Sequence, residues 1–230
     1  MKTKNLKKLI LGLALTGMMG SAQAQFTAVN DHGSGPGTAP NATIWNALGL
    51  ESGNSGPLKN IATGVQLPVS LSITAEGAAA GDASGEAPNL GSPLDVEFSG
   101  AVDWNNSSAG NNVGLRTGGI VTHTISGLDP AKTYVLLGGA VRGGTTDSFK
   151  TFWSKFELAG ADSFSSAHSP GTLTTADVGG DLSASQVAIN TGDNREGLRF
   201  QWNDVRPGAD GTVQIISTRY TGTVPGGSSG

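Results

Sequence analysis

Alternation of apolar and polar residues is the feature that most limits what this chain can fold into. From Val65 to Ile73 every second residue is apolar, and most residues between them are polar. A period of two places the apolar side chains on one face of an extended strand, whereas an amphipathic helix needs a period near 3.6. The same alternation recurs at residues 152–158 and 198–203. We therefore expect half-buried β-strands.

Further short runs extend this pattern, at residues 95–99, 120–125, 134–141, 187–189 and 213–220. Residues 134–141 are apolar almost throughout, which is typical of a central strand buried on both faces. Pro68 interrupts the longest run and predicts an edge position or a β-bulge. The sequence holds 36 glycines and few good helix formers, and this balance favours strands joined by turns.

These runs predict an all-β fold, an antiparallel β-sandwich of jelly-roll type with about 8–10 strands. Residues 75–93 and 105–112 are predicted as loops because they are rich in Gly, Ala, Ser and Asn. A short helix is predicted near residues 43–48.

Residues 1–24 have the three-part order of a secretory signal peptide. Four lysines within the first eight residues precede an apolar run at 9–19, and small residues then lead to Ala24. The apolar run is shorter than the roughly 20 residues of a membrane span. A buried N-terminal helix is the alternative, but its lysines would lie at the wrong end of the helix dipole. We expect cleavage between Ala24 and Gln25, export to the medium or cell surface, and no membrane span in the mature chain.

Loss of this leader changes the charge of the protein. The net charge moves from −4 to about −8, because four lysines leave with the leader. An acidic surface argues against nucleic acid and anionic membranes as partners. The chain has no cysteine, which excludes disulfides, cysteine-based zinc sites and cysteine nucleophiles.

The mature chain is long enough for one sandwich. About 206 residues remain after cleavage, and a domain of this size buries enough apolar surface to fold without disulfides. We expect a single β-sandwich domain over residues 25–222 and a flexible Gly/Ser tail at 223–230.

Five segments carry a resemblance to a known group of proteins. They are SGPLKNIATG at 55–64, SGLDPAKTY at 126–134, WSKF at 153–156, GADSF at 160–164 and VRPGADGT at 205–212. Together they resemble uncharacterised exported bacterial β-sandwich proteins, many of which carry a C-terminal PEP-CTERM sorting tail. The resemblance implies a sandwich fold and a secreted or cell-surface location, and it implies no catalytic residues.

This sequence departs from that group at its end. Residues 224–227 read Val-Pro-Gly-Gly where similar proteins have Val-Pro-Glu-Pro and an apolar span. Similar proteins also continue into a further strand. Two alternatives therefore stay open, a complete protein with a frayed end and a chain that lacks its last strand. In the second case the neighbour of the missing strand would expose unpaired backbone groups.

Two tryptophans are candidates for carbohydrate binding. Trp104 lies between Asp103 and Asn105, so an indole face that can stack on a sugar ring has acid and amide neighbours. Trp153 is the second candidate, because its parity is opposite to that of the apolar residues of its strand. The alternative for Trp104 is a loop aromatic folded over the end of the sandwich.

Three loop residues are candidate ligands of a structural calcium ion. Asp193, Asn194 and Asp210 supply the carboxylate and amide oxygens that Ca²⁺ prefers. No DxDxDG spacing is present. The alternative is that these side chains close turns through their own hydrogen bonds.

Catalytic motifs are weak in this sequence. The three histidines, His32, His123 and His168, form no HxH or HxxxH pair, so no zinc site is predicted. His123 alternates with Val121 and Ile125 and is predicted to face the core. No Gly-x-Ser-x-Gly motif occurs, and the glutamates lie in Gly- and Ser-rich surroundings or at outward strand positions.

The sequence favours a secreted or cell-surface, non-catalytic module that binds extracellular polysaccharide or another cell-surface component. Two alternatives remain, a secreted glycan-active hydrolase and a purely structural component of the envelope or matrix. Structural calcium is the one cofactor that the residues suggest.

Overall fold

The computed structural model describes residues 10–11, 14–18, 26–32, 41–45, 55–77, 79–81, 87–98, 100–102, 104, 112–114, 119–142 and 150–226. Strands within these ranges are β1 (Ile10–Leu11), β2 (Ala14–Met18), β3 (Thr27–Asn30), β4 (Ser55–Lys59), β5 (Gln66–Glu76), β6 (Ala79–Gly81), β7 (Asn112–Gly114), β8 (Ile120–Ser126), β9 (Thr133–Gly138), β10 (Ser154–Ala159), β11 (Ala161–Ser166), β12 (Gln186–Ile189), β13 (Phe200–Pro207) and β14 (Val213–Arg219). The helices are α1 (Pro93–Phe98) and α2 (Thr175–Val178), with 3-10 helices at Gly179–Asp181 and Thr191–Glu196.

The described strands form two six-stranded sheets. Sheet I has the order β1-β3-β2-β9-β13-β11, and sheet II has the order β12-β10-β14-β8-β5-β4, while β6 and β7 pair separately. The pairings within both large sheets are antiparallel except those of the two-residue β1. From β8 to β14 every connection crosses from one sheet to the other, as in a jelly roll. The predicted all-β antiparallel sandwich is confirmed.

The space between the sheets holds an apolar core. Phe156 on β10 and Phe200 on β13 meet across it with ring centroids 4.8 Å apart. Phe200 also packs on the fully buried Trp202, at 5.0 Å between ring centroids. Each such side chain contributes about 1.5–3 kcal/mol when fully buried, so residues from both sheets hold the sandwich together.

The alternation at residues 65–73 produces β5, as predicted. Val69, Leu71 and Ile73 are buried, while Val65 lies before the strand and is exposed. Pro68 lies at the predicted bulge: Pro57 pairs with Ser70 and Lys59 with Gln66, so one residue of β4 faces residues 67–69 of β5. The bulge places the proline where the ladder needs no N–H donor.

Helix α1 corrects the sequence prediction of a short strand at residues 95–99. Leu94 and Phe98, four residues apart, are the buried residues of α1, whereas Val96 is 64 % exposed. Pro93 suits the first helical position because it needs no N–H partner there. The Asp95 carboxylate accepts a hydrogen bond from the Gly91 N–H at 2.7 Å. The strand prediction was wrong because the alternation of Val96 and Phe98 is too short to define a period.

Strand β9 is buried on both faces, as its continuous apolar run predicts. Residues 134–138 are all buried. On one side β9 pairs with β13, and on the other it pairs with β2, with Ala14 opposite Leu137 and Met18 opposite Thr133. Strand β2 also pairs with β3, so it lies between β3 and β9. Both β1 and β2 belong to the predicted leader.

Most other predicted elements match observed ones. Strands β8, β10, β12, β13 and β14 correspond to the runs at residues 120–125, 152–158, 187–189, 198–203 and 213–220. Of the predicted helix at 43–48, the described residues 43–45 are not helical, and Thr43 bridges to Asn30 instead. The predicted loop at 75–93 includes the end of β5 and all of β6. Residues 105–111 lie outside the described ranges.

The start of the predicted tail packs against the domain. Val224 is buried, and the Thr223 N–H donates to an Asp181 carboxylate oxygen at 2.8 Å. The last four residues lie outside the described ranges. Among the helices that the structure describes, none has the length and apolar character needed to cross a membrane.

Candidate functional site

A bulge in β13 contains the most unusual backbone conformation of the described residues. Asp204 has a φ of +51°, and no other described non-glycine residue has a positive φ. The pairing of β13 with β9 shifts register between Trp202 and Val205. A bulge of this kind redirects a side chain, and Asp204 is exposed. Asp tolerates the left-handed region better than most residues.

The sequence contains a signal for this bulge that the strand prediction missed. Apolar residues occupy even positions up to Trp202, but the next apolar residues are Val205 and Pro207. Such a change of parity within one strand needs an extra residue. Val205 and Pro207 are buried, so the parity change keeps the apolar face of β13 inside the sandwich.

Polar side chains of β11 and β13 form a mostly exposed surface around the bulge. We call it the bulge strip, and its members are Ser163, Ser165, Asn203, Asp204 and Arg206. Ser163 pairs with Arg206 and Ser165 with Asn203. The Ser165 hydroxyl donates to Asp204 Oδ2 at 3.3 Å. Because β11 is the last of the described strands of sheet I, the strip presents hydroxyl, amide, carboxylate and guanidinium groups at the edge of that sheet.

A largely buried polar row supports the strip from within sheet I. Arg199, Gln201 and Asn203 alternate along β13 with Phe200 and Trp202. The Arg199 guanidinium donates to the Gln201 side-chain carbonyl. The Gln201 amide donates in turn to Asn203 Oδ1 at 2.6 Å. Since Gln201 is only 5 % exposed, this row fixes the position of the Asn203 amide.

The row also connects the strip to α1. Arg199 Nη2 lies 3.7 Å from a Glu97 carboxylate oxygen. Both side chains are largely buried, so the pair is shielded from the solvent that weakens surface ion pairs. The first residue of the row is thereby held against α1.

Trp104 packs against the hydrophobic core. Its ring meets Phe98 edge to face with centroids 5.5 Å apart, and the residue is half-buried. Its indole Nε1 is buried and has no hydrogen-bond partner among the described residues. The neighbouring candidates Asp103 and Asn105 lie outside the described ranges. Only part of the Trp104 ring is therefore open to a ligand.

Trp153 faces outward, as its parity predicts, but other parts of the chain cover that face. It is half-buried and packs against a second apolar cluster made of Leu173, Leu182, Ala188, Tyr220 and Val224. Its carbonyl accepts the Tyr220 N–H at 2.9 Å. Parity identifies the face of a strand but not what packs on it.

The three calcium candidates are not brought together. Asp193 and Asn194 precede β13, whereas Asp210 follows it, and eight residues of strand span about 25 Å. Asp193 lies 3.6 Å from Arg195 Nε, and the Asp210 carboxylate accepts the Thr212 N–H at 3.0 Å. Within the described part of the chain, no three His, Cys, Asp or Glu residues form a group that could hold a metal ion.

Asn194 has a structural role in this arrangement. It is 1 % exposed, and its amide nitrogen donates to the carbonyls of Ala140 and Leu198 at 3.1 and 2.8 Å. Its side-chain oxygen accepts the Leu198 N–H at 2.8 Å. The residue therefore ties the loop before β13 to the segment that follows β9.

His32 and His123 form a pair between the sheets. Their Nε2 atoms are 2.6 Å apart, and their rings meet edge to face. His123 is 8 % exposed and lies on the inner face with Val121 and Ile125, which confirms the predicted core position. Burial lowers the pKa of His32 to about 4 and the pKa of His123 well below its usual value. Both rings are thus neutral at pH 7.

His168 also has a structural role. Its Nδ1 accepts the Gln201 backbone N–H at 3.0 Å, and its ring meets Trp202 edge to face at 5.4 Å. Burial and the charge of Arg199 lower the pKa of His168 to about 4.

Three carboxyl groups have pKa values that are shifted downward by hydrogen bonds. Lys132 lowers the pKa of Asp129, and the Thr174 side chain lowers the pKa of Asp177. The Thr223 backbone N–H lowers the pKa of Asp181. A glycosidase acid needs a raised pKa, so none of these three groups has the property that such an acid requires.

Neither the protein-family models, nor the curated proteins, nor the solved structures that were compared with this chain gave a match. The class that the fold itself defines is a jelly-roll-type β-sandwich.

Proposed function

We propose that this protein is an exported, non-catalytic β-sandwich module that binds extracellular polysaccharide through the bulge strip. The observation that carries this proposal is the left-handed backbone of Asp204. Non-glycine residues held in the left-handed region cluster at functional sites. Here the strain presents a carboxylate at an exposed sheet rim.

The chemistry of the strip suits a polyhydroxylated ligand. Sugar hydroxyls both donate and accept hydrogen bonds, and the strip offers acceptors at Asp204, donors at Arg206 and groups of both kinds at Asn203 and Ser165. The strip contains no aromatic ring, so recognition through it is polar and each sugar unit binds weakly. Trp104 is a second candidate contact through the part of its ring that is not packed on Phe98.

The charge of the protein narrows the ligand class. With a net charge of about −8 after loss of the leader, the mature surface repels polyanions. We therefore expect neutral polysaccharides to bind better than acidic ones. The leader and the resemblance to exported bacterial proteins support a location outside the cell.

Binding of the exported protein to a panel of immobilised neutral polysaccharides tests this proposal. Asp204→Gly removes the carboxylate while glycine accepts the positive φ without strain. We expect at least tenfold weaker binding and an unchanged or higher Tm.

Glu76→Gln is the matched control for Asp204→Gly. Glu76 is exposed at the end of β5 in sheet II, so this substitution removes one carboxylate charge outside the strip. Its binding should equal that of the wild type. Wild-type binding by Asp204→Gly, or no binding to any member of the panel, would contradict the proposal.

The same panel separates the two alternatives. Release of new reducing ends by the wild-type protein would indicate a glycan-active hydrolase. Neither binding nor turnover, together with retention of the protein in the envelope, would indicate a structural component.

A further inference from the structure

Strand β2 belongs to the leader that we expect to be removed on export. The exported protein would therefore lack the strand that lies between β3 and β9. Strand β2 pairs with β9 over residues 133–137 and with β3 at Thr27 and Ala28. Strand β1 pairs with the same two neighbours at Val29, Asn30 and Gly138. Both strands lie before the expected cleavage site at Ala24. Within the part of the chain that the structure describes, cleavage at that site leaves a slot between β3 and β9.

The β3 side of this slot is held in place by contacts that do not involve the leader. The Thr43 N–H donates to the Val29 carbonyl at 2.9 Å, and the Asp31 N–H donates to the Thr43 carbonyl at 2.8 Å. The Ile61 N–H donates to the Thr27 carbonyl at 2.7 Å. These bonds anchor β3 to the segments at 41–45 and 60–65, so β3 has no need to move when β2 leaves.

The β9 side of the slot is held equally well. Strand β13 pairs with its far edge, and residues 134–138 are buried. Neighbouring strands lie about 4.8 Å apart, so β3 and β9 are separated by about 10 Å, the width of one strand. The backbone groups of β9 that face the slot lose their partners when β2 is removed, and unpaired buried backbone groups are strongly disfavoured.

We propose that the slot between β3 and β9 is a strand-acceptor site in the exported protein. It takes one extended segment from another polypeptide, antiparallel to both β3 and β9, as β2 is in the uncleaved chain. The segment is about five residues long and made of small and apolar residues, like Ala14–Met18. This is recognition by strand addition, in which the main chain supplies the affinity.

The proposal rests on leader cleavage, which is one part of the proposed function, and not on polysaccharide binding. Its test therefore uses a readout that polysaccharide binding does not affect. The exported protein is recovered from a bacterial host that expresses the full-length precursor. Its N-terminus is sequenced, and hydrogen–deuterium exchange is measured at the amides of residues 133–138.

The probe is a synthetic peptide of residues 14–18, the span of β2, with added terminal lysines for solubility. We expect an N-terminus at Gln25 and rapid exchange at those amides of 133–138 that face the slot, which the peptide slows at least tenfold, whereas the amides that face β13 stay protected throughout. The matched control peptide carries Leu15→Pro and Thr16→Pro, which remove N–H donors on both sides of the strand. This control is expected to leave the exchange rapid.

Three results would overturn the proposal. The first is an exported protein that keeps its leader and has its N-terminus at Met1. The second is slow exchange, without any peptide, at the β9 amides that face the slot, whether through the protein's own chain or through a second copy at high concentration. The third is equal behaviour of the two peptides. If the exported protein aggregates, refolding with the wild-type peptide should give soluble protein where the proline peptide does not, and equal yields would again contradict the proposal.

Discussion

The Nε2 atoms of His32 and His123 lie 2.6 Å apart, although 91 residues separate the two histidines in the chain. His32 follows β3 of sheet I, and His123 belongs to β8 of sheet II. One ring donates its Nε2–H and the other accepts it, so the pair needs two neutral rings in complementary tautomers. A proton on each ring would place two charges together in a buried site.

Acid should therefore destabilise this protein as the pH falls below about 6.5. The folded pKa of His32 is about 4, below its usual value of 6.5, so the unfolded chain binds more protons between these values. Stability is full above pH 6.5 and falls as the pH decreases towards 4. One such group accounts for up to about 3 kcal/mol. Urea unfolding at pH 7.5 and pH 4.5 measures the difference.

His123→Leu tests whether the pair is responsible. Leucine suits the inner face between Val121 and Ile125, and it removes one of the groups that resist protonation. We expect a smaller loss of stability between pH 7.5 and 4.5, with the remainder due to His168 and His32. Identical stability of the wild type at the two pH values would show that the histidines are not buried as described.

Asn194→Ala should lower stability by about 3 kcal/mol. The substitution removes three hydrogen bonds and leaves the backbone groups of Ala140 and Leu198 without these partners. For a domain of this size the loss corresponds to a Tm decrease of roughly 6–12 °C. Differential scanning calorimetry measures it.

Asp193→Ala is the matched control for Asn194→Ala. Asp193 is partly exposed and its contact with Arg195 is long, so we expect a change below about 0.5 kcal/mol. Both variants should be scanned with added calcium and with a chelator. A calcium-dependent Tm that Asp193→Ala abolishes would indicate a structural calcium site at this loop.

Gly211→Ala should be one of the most damaging single substitutions in the chain. Gly211 has a φ of +67°, and a Cβ added there would lie 2.3 Å from the Leu128 carbonyl oxygen. The Leu128 N–H also donates to the Gly211 carbonyl at 3.0 Å. Neither backbone segment can move away without breaking this hydrogen bond. We therefore expect the free energy of unfolding, measured in urea, to fall by about 3 kcal/mol or more.

Gly91→Ala separates the clash from the cost of the left-handed backbone. Gly91 has a φ of +81°, but a Cβ there would meet nothing within 4 Å. The free energy of unfolding of this variant should fall by only about 1 kcal/mol, the usual cost of placing alanine at such a φ. Equal losses for the two variants would mean that the approach of Leu128 has no role.

Trp104→Phe distinguishes the two candidate contacts for polysaccharide. Phenylalanine keeps the edge-to-face packing on Phe98 and removes the indole N–H. We therefore expect the free energy of unfolding to fall by about 1 kcal/mol or less. Polysaccharide affinity should stay within twofold of wild type if the bulge strip is the site. A tenfold decrease with an intact fold would place the site at Trp104 instead.

The sandwich was predictable because a strand that is buried on one face has apolar residues at every second position of its sequence. Val69, Leu71 and Ile73 reveal β5, and the continuous run from Tyr134 reveals a strand buried on both faces. Helix α1 was not predictable in this way, since six residues are too few to show a helical period. Its usable signals were Pro93 and the spacing of Leu94 and Phe98.

The candidate site was less accessible to sequence reasoning. The parity change between Trp202 and Val205 indicates a bulge, but only the fold shows that Ser165 of β11 lies beside Asp204. The same limit applies to Trp153, whose outward parity is correct. The cluster that covers it comes from residues 173–224, and no local pattern predicts that contact.

The crossing connections between β8 and β14 also determine how fast this protein can fold. Because each strand pairs within its sheet with strands remote in sequence, most stabilising contacts close long loops. One example is the hydrogen bond from the Gln214 amide to the Thr124 hydroxyl across 90 residues. High contact order slows folding, and the core cannot close before β14 is available. Because β14 pairs with both β8 and β10, sheet II cannot be completed until residues 213–219 have been synthesised.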